Sequence, residues 1–384
     1  MLHRREFLVR GGTASLLAGL GSTIHADEPT GSSFPGMITR MTEPENLEFP
    51  FSSLSSSITP NEHFYVRNHF AVPKIDMKSW KLTIEGAVKQ KIELSYDDLL
   101  KFPVRTLKAT LECAGNGRVH LTPTAGGVQW GQGAVSNAEW SGVSLAEVLE
   151  KAGLKDTAIE VILEGGDKGQ INSDPKSPGP ISYSRSVPIE KAKHSSVLLA
   201  YKMNGKDLPM SHGHPLRAIV GGWYGMASVK WLTRIIVTEK PYRGFFQSLD
   251  YAYWERKDGL PTLVPITTME VKSSIARPAL AEVVPAGKPY RIFGAAWTGE
   301  ATIAKVEVST DGGTSWMAAK LLEKPELYSW CMWEYGWHVT AEAGPATIMA
   351  RATDSNGKTQ PMQRDGDRRN YMISHVTPIH VSVR

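Results

Sequence analysis

The sequence has little cysteine, no covalent haem motif and no block of like charges. Its two cysteines, Cys113 and Cys331, allow at most one disulfide and give little support to a zinc site. The 43 Lys and Arg residues against 39 Asp and Glu residues leave a formal net charge of +4, spread along the chain. This balance does not favour a nucleic-acid-binding protein. Because no CxxCH motif occurs, we expect no haem in this chain.

The remaining composition is ordinary for a soluble globular protein, but the first residues differ from the rest. Hydrophobic residues make up 41% of the chain and charged residues 21%, and 384 residues suffice for two domains. Residues 1–26 are basic in MLHRREFLVRGG and then small and apolar in TASLLAGLGSTIHA. Arg4 and Arg5 before EFL resemble a twin-arginine export signal; a Sec signal or a frayed basic terminus is the alternative. The signal predicts a periplasmic protein whose mature chain has no membrane span.

The sequence of residues 27–262 predicts an extended arm followed by an α+β domain. Residues 27–60 are rich in Pro, Ser, Thr and Glu without a clear period, which is typical of an extended arm. Over residues 61–262, alternating segments such as WKLTIEG and TLKATLE predict strands, and two short helical segments lie among them. Strands interleaved with a few short helices indicate an α+β domain.

The two predicted helices carry recognisable end signals. Ser95 with Asp98 three positions later predicts a capped short helix, and Ser144 with Glu147 predicts a second one. Gly153 is expected to end the second helix.

Residues 263–384 predict a β-sandwich. Short alternating runs such as AKVEVSTDGGTSW and ATIMARATDSNG are separated by turn signals, and the domain boundary is expected within residues 258–268. Cys113 and Cys331 therefore belong to different domains, each within a buried strand pattern. We expect them to be free thiols.

Cys113 lies in LECAGNGR, residues 111–118, between a strand and a glycine-rich turn. A core thiol is the plainest interpretation of an isolated cysteine. A nucleophile would need a base, for which His120, His212 and His214 are available. The turn, however, exposes backbone donors, and Arg118 adds a cation, so the thiol is expected to face an electropositive pocket. A soft thiolate in such a pocket suits a highly charged metal.

ECAGNGR resembles the signature loop of the sulfite oxidase family of molybdenum enzymes. The resemblance implies that Cys113 ligates molybdenum beside the dithiolene of molybdopterin. It extends into EVSTDGGTSW and MARATDSNGKTQP, which resemble the family's immunoglobulin-like dimerisation domain. The implied architecture is a sulfite-oxidase-like molybdopterin-binding α+β domain followed by that β-sandwich, in a homodimer.

Three further segments resemble the family in the same order along the chain: FYVRNHFAVP, VQWGQGAVSNAEWSGVSL and LPMSHGHPLRAIVGGWYGMASVKWLTRI. A pterin phosphate needs several cations and donors, and an unpaired charge in an apolar run is costly unless an anion is bound. The resemblance implies that the cofactor-binding residues are Arg67, Asn68, His69, Cys113, Asp167, His212, Arg217 and Lys230; for Asp167 a turn residue is the alternative.

The implied substrate site holds a small oxyanion next to the metal. A dianion such as sulfite requires arginines near an open coordination position. The resemblance assigns this catalytic group to Arg67, Arg118, Trp130 and Tyr251, with Tyr253 as the rival for the tyrosine.

Two positions depart from the vertebrate-type pattern. Gly117 stands where those enzymes have a second arginine, and Met372 stands where an arginine from the C-terminal domain enters the pocket. Arg351, Arg368 and Arg369 are candidates to replace the latter. Fewer cations would weaken sulfite binding or admit a different oxyanion or another sulfur substrate.

The resemblance implies oxidation of sulfite to sulfate, with electrons passed to a separate carrier such as a c-type cytochrome. Two alternatives within the family remain: the molybdenum subunit of a sulfur-oxidising complex, acting as a sulfane dehydrogenase, and a reductase. A cofactor-free binding protein on the same fold is the alternative from outside enzymology.

Overall fold

The computed structural model describes residues 36–384, so the predicted export signal in residues 1–26 lies outside the described residues. The first part, up to residue 246, is mostly strand with three short helices. Its elements are β1 Ile38–Met41, β2 Asn46–Glu48, β3 Leu82–Gly86, β4 Ile92–Leu94, α1 Tyr96–Leu99, β5 Arg105–Glu112, β6 Val135–Ser144, α2 Leu145–Ala152, β7 Glu160–Gly169, β8 Ile181–Pro188, α3 Ile189–Lys193, β9 Val197–Met203, β10 Lys206–Asp207, β11 Arg217–Val220 and β12 Leu232–Thr238. This content is the predicted α+β class.

Two five-stranded sheets organise this first part. One has the order β10-β9-β6-β5, with β11 paired to β9, and the other has the order β4-β3-β12-β7-β8. The β3 and β12 strands pair in parallel, whereas the other neighbours in that second sheet are antiparallel. Strand β5 leads directly into the Cys113 turn, so the first sheet positions that turn.

Six 3-10 helices and one π-helical turn lie between these strands and in the later part. They are Phe51–Ser53, Asn61–His63, Arg118–His120, Met210–His212, Gly225–Ala227 and Gly366–Arg368, and the π-helical turn is Phe246–Asp250. Two of the 3-10 helices begin or end at predicted site residues, because Arg118 opens one and His212 closes another.

The second part is the β-sandwich predicted from the alternating pattern. After the hairpin of β13 Ala252–Lys257 and β14 Leu260–Pro265, its strands are β15 Lys272–Arg277, β16 Val283–Val284, β17 Pro289–Trp297, β18 Ile303–Ser309, β19 Met317–Ala318, β20 Lys320–Leu321, β21 Cys331–His338, β22 Gly344–Asp354 and β23 Ile379–Val383. They form sheets of order β15-β17-β21-β20 and β16-β23-β22-β18-β19. One apolar cluster, with Ile292 and Trp333 from one sheet and Val306 and Ile348 from the other, joins the two sheets.

One of the two predicted capping boxes is present and the other is not. The Ser95 hydroxyl accepts from the Asp98 amide at 3.2 Å, and the Asp98 carboxylate accepts from the Ser95 amide at 3.1 Å. Helix α2 ends at Gly153 as expected, but the Ser144 side chain makes no capping hydrogen bond. The Glu147 carboxylate instead accepts from Arg105 Nη2 at 2.8 Å, because Arg105 pairs with Gly142 near the end of β6, close to the start of α2. The prediction of a capping box at Ser144 is therefore wrong.

The described portion of the predicted arm takes part in the core. Leu47 pairs with Val66 through two backbone hydrogen bonds of 2.9 Å, and Leu47, Phe49 and Phe51 are buried. Apolar side chains spaced within a Pro- and Ser-rich stretch thus anchor it against the sheets.

Both cysteines are free and buried, as predicted. Cys331 lies in the sandwich core at 0% exposure, and burial raises the pKa of its thiol to about 11. The thiolate is the form that reacts with alkylating reagents. We expect Cys331 to resist iodoacetamide at pH 8 in the native protein and to be alkylated only after denaturation, as peptide mass spectrometry would show. Rapid modification in the folded protein would contradict the closed sandwich core.

Candidate active site

The Cys113 turn is held by backbone hydrogen bonds to the segment before β6. The Cys113 amide donates to the Ala134 carbonyl at 2.9 Å, and the Asn116 amide donates to the Cys113 carbonyl at 2.8 Å. Gly117 has φ +94°, a backbone conformation that side chains disfavour, and a Cβ there would lie 3.2 Å from Ile373. Glycine at position 117 therefore suits the backbone of this turn, where a side chain would be strained.

Two adjacent cavities share the Cys113 side chain as part of their walls. The first cavity is lined by the predicted cofactor residues Arg67, Asn68, His69, Cys113, Asp167, His212, Arg217 and Lys230, and by Tyr251. The second is lined by Arg67, His69, Cys113, Arg118 and Tyr251, and by side chains that include Asp174, Asp250 and Tyr371. Residues from six separate chain segments thus converge on one thiol.

Two cations in the first cavity are buried with few hydrogen-bond partners. Arg217 donates from Nη1 to the His212 carbonyl at 2.9 Å and from Nη2 to the Ser228 carbonyl at 3.1 Å. Its Nε is buried without a hydrogen-bond partner in the described structure. Lys230 donates to the Ser211 carbonyl at 2.8 Å and contacts the Asn68 amide oxygen. Such a pair of buried donors is suited to hold an anion.

Burial shifts the pKa values of these two cations and of two titratable neighbours in the first cavity. It lowers the pKa of Lys230 well below its ordinary value, with the Arg217 charge as the next cause, and lowers the pKa of Arg217 to about 10. The His212 pKa falls to about 3, and burial raises the pKa of Asp167 to about 6. At both cations burial disfavours the charged form, and a bound phosphate would favour it.

The second cavity combines arginines with carboxylates. Arg118 donates from Nη1 to the Val128 carbonyl at 2.7 Å and from Nε to the Asn370 carbonyl at 3.2 Å, and its guanidinium carbon lies 5.3 Å from the centre of the Tyr371 ring. Tyr371 in turn donates to an Asp250 carboxylate oxygen at 2.5 Å. Asp250 and Tyr371 were not predicted; their only sequence signal is that each adjoins a position already singled out, Tyr251 or Met372.

The two candidate tyrosines lie in different surroundings. Tyr251 lines both cavities, and its hydroxyl lies 2.7 Å from His69 Nε2. Burial raises the pKa of Tyr251, so the phenol stays protonated, and burial beside Arg67 lowers the pKa of His69 well below its ordinary value. Tyr253 is half-buried on β13, where Arg368 lies over its ring at 4.4 Å. The structure thus brings Tyr251, not Tyr253, next to Cys113.

Trp130 and the candidate replacement arginines lie elsewhere. Trp130 is fully buried in the same apolar cluster as Cys113 and lines neither cavity. Arg368 pairs with Asp365 at 3.2 Å, Arg369 donates to the Ala252 carbonyl at 2.9 Å, and Arg351 pairs with Glu307 at 3.1 Å. None of these three arginines, nor the buried Met372, lines a cavity that contains Cys113.

The donor set fits a metal that arrives with its own organic ligands. Within residues 36–384, no group of three or more His, Cys, Asp or Glu side chains is arranged to hold a metal ion. Cys113 instead offers one sulfur at the junction of the first and second cavities. One thiolate beside an anion-binding cavity is the arrangement that a phosphate-bearing metal cofactor such as molybdenum-molybdopterin needs.

The comparisons with known proteins agree with this geometry. Residues 69–246 match the oxidoreductase molybdopterin binding domain, and residues 264–373 match the Mo-co oxidoreductase dimerisation domain. The sulfite oxidase of Gallus gallus is 35% identical over 348 residues, which cover 85% of this chain and 73% of that protein. This chain belongs to the sulfite oxidase family. The mitochondrial sulfite oxidase of Macaca fascicularis is 36% identical over 359 residues, 88% of this chain, and this chain spans 63% of the length of that relative.

A solved structure is similar over almost the whole length of this family member. The sulfane dehydrogenase SoxCD from Paracoccus pantotrophus has a TM-score of 0.78 at 27% identity, and the match covers 94% of this chain and 93% of that one. Both domains therefore have counterparts in one relative. No helix within residues 36–384 has the length and apolar character needed to cross a membrane.

Proposed function

We propose that this protein is a molybdenum-dependent oxidoreductase that converts sulfite to sulfate and passes the electrons to an external acceptor. The observation that carries the proposal is the position of Cys113, shared by a cavity lined with Arg217 and Lys230 and a cavity lined with Arg67 and Arg118. The first arrangement suits an anionic cofactor and the second an anionic substrate. Family membership supplies the reaction class.

Each group has a distinct task in this proposal. Arg217, Lys230 and His212 hold the pterin phosphate, and Cys113 anchors the metal. When bound, the molybdenum centre would supply the two-electron oxidation and the oxygen transfer, so that sulfite and water become sulfate, two protons and two electrons. Arg67 and Arg118 hold the oxyanion against Cys113. The Tyr251 hydroxyl, in contact with His69, donates a hydrogen bond to the reacting oxygen.

The proposed location, electron acceptor and oligomeric state rest on sequence features. The RREFL motif supports export by the twin-arginine route to the periplasm, where a c-type cytochrome would accept the electrons one at a time. The match of residues 264–373 to a dimerisation domain supports a homodimer. Size-exclusion chromatography with light scattering on the mature protein tests the dimer.

Metal and cofactor analysis of the exported protein tests the proposal against a cofactor-free binding protein. After expression in a host that makes molybdopterin, we expect about one molybdenum and one pterin per chain. A folded, exported protein that contains neither molybdenum nor pterin would refute the assignment as a molybdenum enzyme. Steady-state assays with sulfite, using ferricyanide and cytochrome c as acceptors, then test the reaction.

A second candidate activity, oxidation of a sulfane sulfur, has its own support. The SoxCD relative is named a sulfane dehydrogenase, and Asp174 and Asp250 in the second cavity offset the charges of Arg67 and Arg118. A cavity without net positive charge is less suited to a dianion than to a less charged sulfur group. Saturation by a sulfane substrate at far lower concentration than sulfite, with a tightly bound cytochrome partner, would favour this candidate over sulfite oxidation.

Tyr251→Phe is expected to lower kcat/KM for sulfite by about 100-fold, the usual effect of losing a positioned proton donor. The ring volume is kept, so molybdenum content and melting temperature should stay near wild type. Tyr253→Phe is the matched control, because Tyr253 lies outside both cavities. Equal kinetic effects of the two substitutions would contradict the assignment of Tyr251.

A further inference from the structure

Glu112, the residue immediately before Cys113, is a buried carboxylate whose two oxygens are both bound. Oε1 accepts from Lys272 Nζ at 2.9 Å and from Asn116 Nδ2 at 3.0 Å, and Oε2 accepts from Trp297 Nε1 at 2.8 Å. Glu112 is 2% exposed and Lys272 5% exposed. The carboxylate is therefore fixed by three donors in an environment without competing water.

Two of those three donors come from the β-sandwich. Lys272 begins β15 and Trp297 ends β17, and the two are directly opposite each other in the antiparallel pairing of these strands. Both side chains extend from the same end of these paired strands to Glu112 in the first part of the chain, 160 and 185 residues away in sequence. Sheet register thus sets the spacing of the two donors that hold the carboxylate.

Asn116 links Glu112 to the Cys113 turn by hydrogen bonds. The Asn116 side chain donates to Glu112 and accepts from the Ala134 amide at 3.1 Å, while its own amide donates to the Cys113 carbonyl. The sandwich also touches the turn directly, because the Met372 amide donates to the Ala114 carbonyl at 2.7 Å. Each bond limits where the Cys113 sulfur can lie.

A buried ion pair is not in itself evidence of stabilisation, because removing two charges from water offsets much of their attraction. Apolar residues of similar size would join the two domains at least as well. The pair at Glu112 has a feature that apolar packing lacks: it fixes the direction of one carboxylate next to a metal-binding residue. Groups that orient a metal ligand in this way affect the metal centre strongly.

We propose that Glu112 and Lys272, with Trp297, are positioning residues through which the C-terminal domain sets the placement of the Cys113 sulfur. The domain matched to dimerisation then has a second task, as a part of the active site. This inference rests on the proposed function, since it takes Cys113 as the molybdenum ligand. It predicts that disturbing the ion pair alters the metal centre without removing the cofactor.

The test compares Lys272→Met with Lys191→Met in the full-length holoenzyme. Lys191 is a matched control: its ion pair with Glu300, at 2.6 Å, also joins the two domains, its side chain is 11% exposed, and it lines neither cavity. The readouts are molybdenum and pterin per chain, melting temperature, kcat and KM, and the g-values of the Mo(V) electron paramagnetic resonance signal. We expect Lys272→Met to retain molybdenum, to shift the g-values and to lower kcat by about tenfold or more. Lys191→Met should lower only the melting temperature.

Conservative variants keep the inference testable if Lys272→Met does not fold. Lys272→Arg retains the charge and should partly restore both the g-values and kcat. Trp297→Phe removes one neutral donor, leaves the ion pair, and should give a smaller shift in the same direction. If these variants give wild-type g-values and kcat with only a lower melting temperature, the residues merely join the domains and the inference is wrong. A wild-type protein without a Mo(V) signal would instead contradict the proposed function.

Discussion

Replacing Cys113 with serine is expected to abolish sulfite oxidation, with kcat at least about 100-fold below wild type, while the fold is kept. Serine is close in size to cysteine, and Cys113 is 7% exposed, so the turn and its backbone hydrogen bonds should persist. A hydroxyl, however, is a hard and weakly acidic donor that cannot replace a soft thiolate on molybdenum. The measurements are turnover with ferricyanide, circular dichroism, and molybdenum and pterin content.

Cys331→Ser is the control for this substitution. It makes the same sulfur-to-oxygen change in the sandwich core, where the Cys331 thiol donates to the Glu323 carbonyl at 3.5 Å. Burying a hydroxyl there should lower the melting temperature without changing kcat. Wild-type turnover in Cys113→Ser would show that Cys113 is not the metal ligand, and equal loss of turnover in both variants would point to a general effect of folding.

The placement of the site follows from local sequence to a large extent. ECAGNGR contains its own turn, since Gly117 adopts a positive φ and a Cβ at Gly115 would displace the Arg118 guanidinium. The arginines and the tyrosine come from segments whose order the family resemblance already supplies. That Cys113, Arg67 and Tyr251 meet was thus predictable, because each segment carries its own signal.

The contacts between domains were not predictable from single segments. Tyr371 reaches Asp250 across 121 residues of chain, and Lys272 reaches Glu112 across 160. Neither pair has a motif, because their partners are determined by how the sandwich packs against the first part. For the same reason the sequence did not show where Arg351, Arg368 and Arg369 lie. They bind nearby carboxylates and a backbone carbonyl instead of entering the pocket.

If the second cavity holds the substrate, as proposed, its charge limits which anions can bind there. The two positive charges of Arg67 and Arg118 are balanced by the two carboxylates of Asp174 and Asp250. The Tyr371 hydroxyl already donates its hydrogen bond to Asp250. Neither Gly117 nor Met372 supplies a further cation. A sulfite dianion would therefore depend on Arg67 and Arg118 more heavily than in a cavity with additional arginines.

Arg118→Gln is accordingly expected to lower kcat/KM for sulfite by about 100-fold, which corresponds to about 2.7 kcal/mol of lost transition-state stabilisation. The loss should appear mainly in KM, because Arg118 lines the second cavity only and lies outside the cofactor cavity. Molybdenum and pterin content should remain at wild-type levels. Steady-state kinetics and metal analysis on the same preparation distinguish weaker sulfite binding from loss of the cofactor.

Arg256→Gln is the matched control, since Arg256 is an exposed arginine paired with Asp367 at 2.8 Å and lines neither cavity. Its kcat/KM should equal that of the wild type. If Arg118→Gln behaves like Arg256→Gln, the second cavity does not bind sulfite through Arg118. If Arg118→Gln loses sulfite turnover but keeps turnover of a neutral sulfur compound, the arginine acts by charge, and the balance between Arg118 and Asp250 then determines substrate choice.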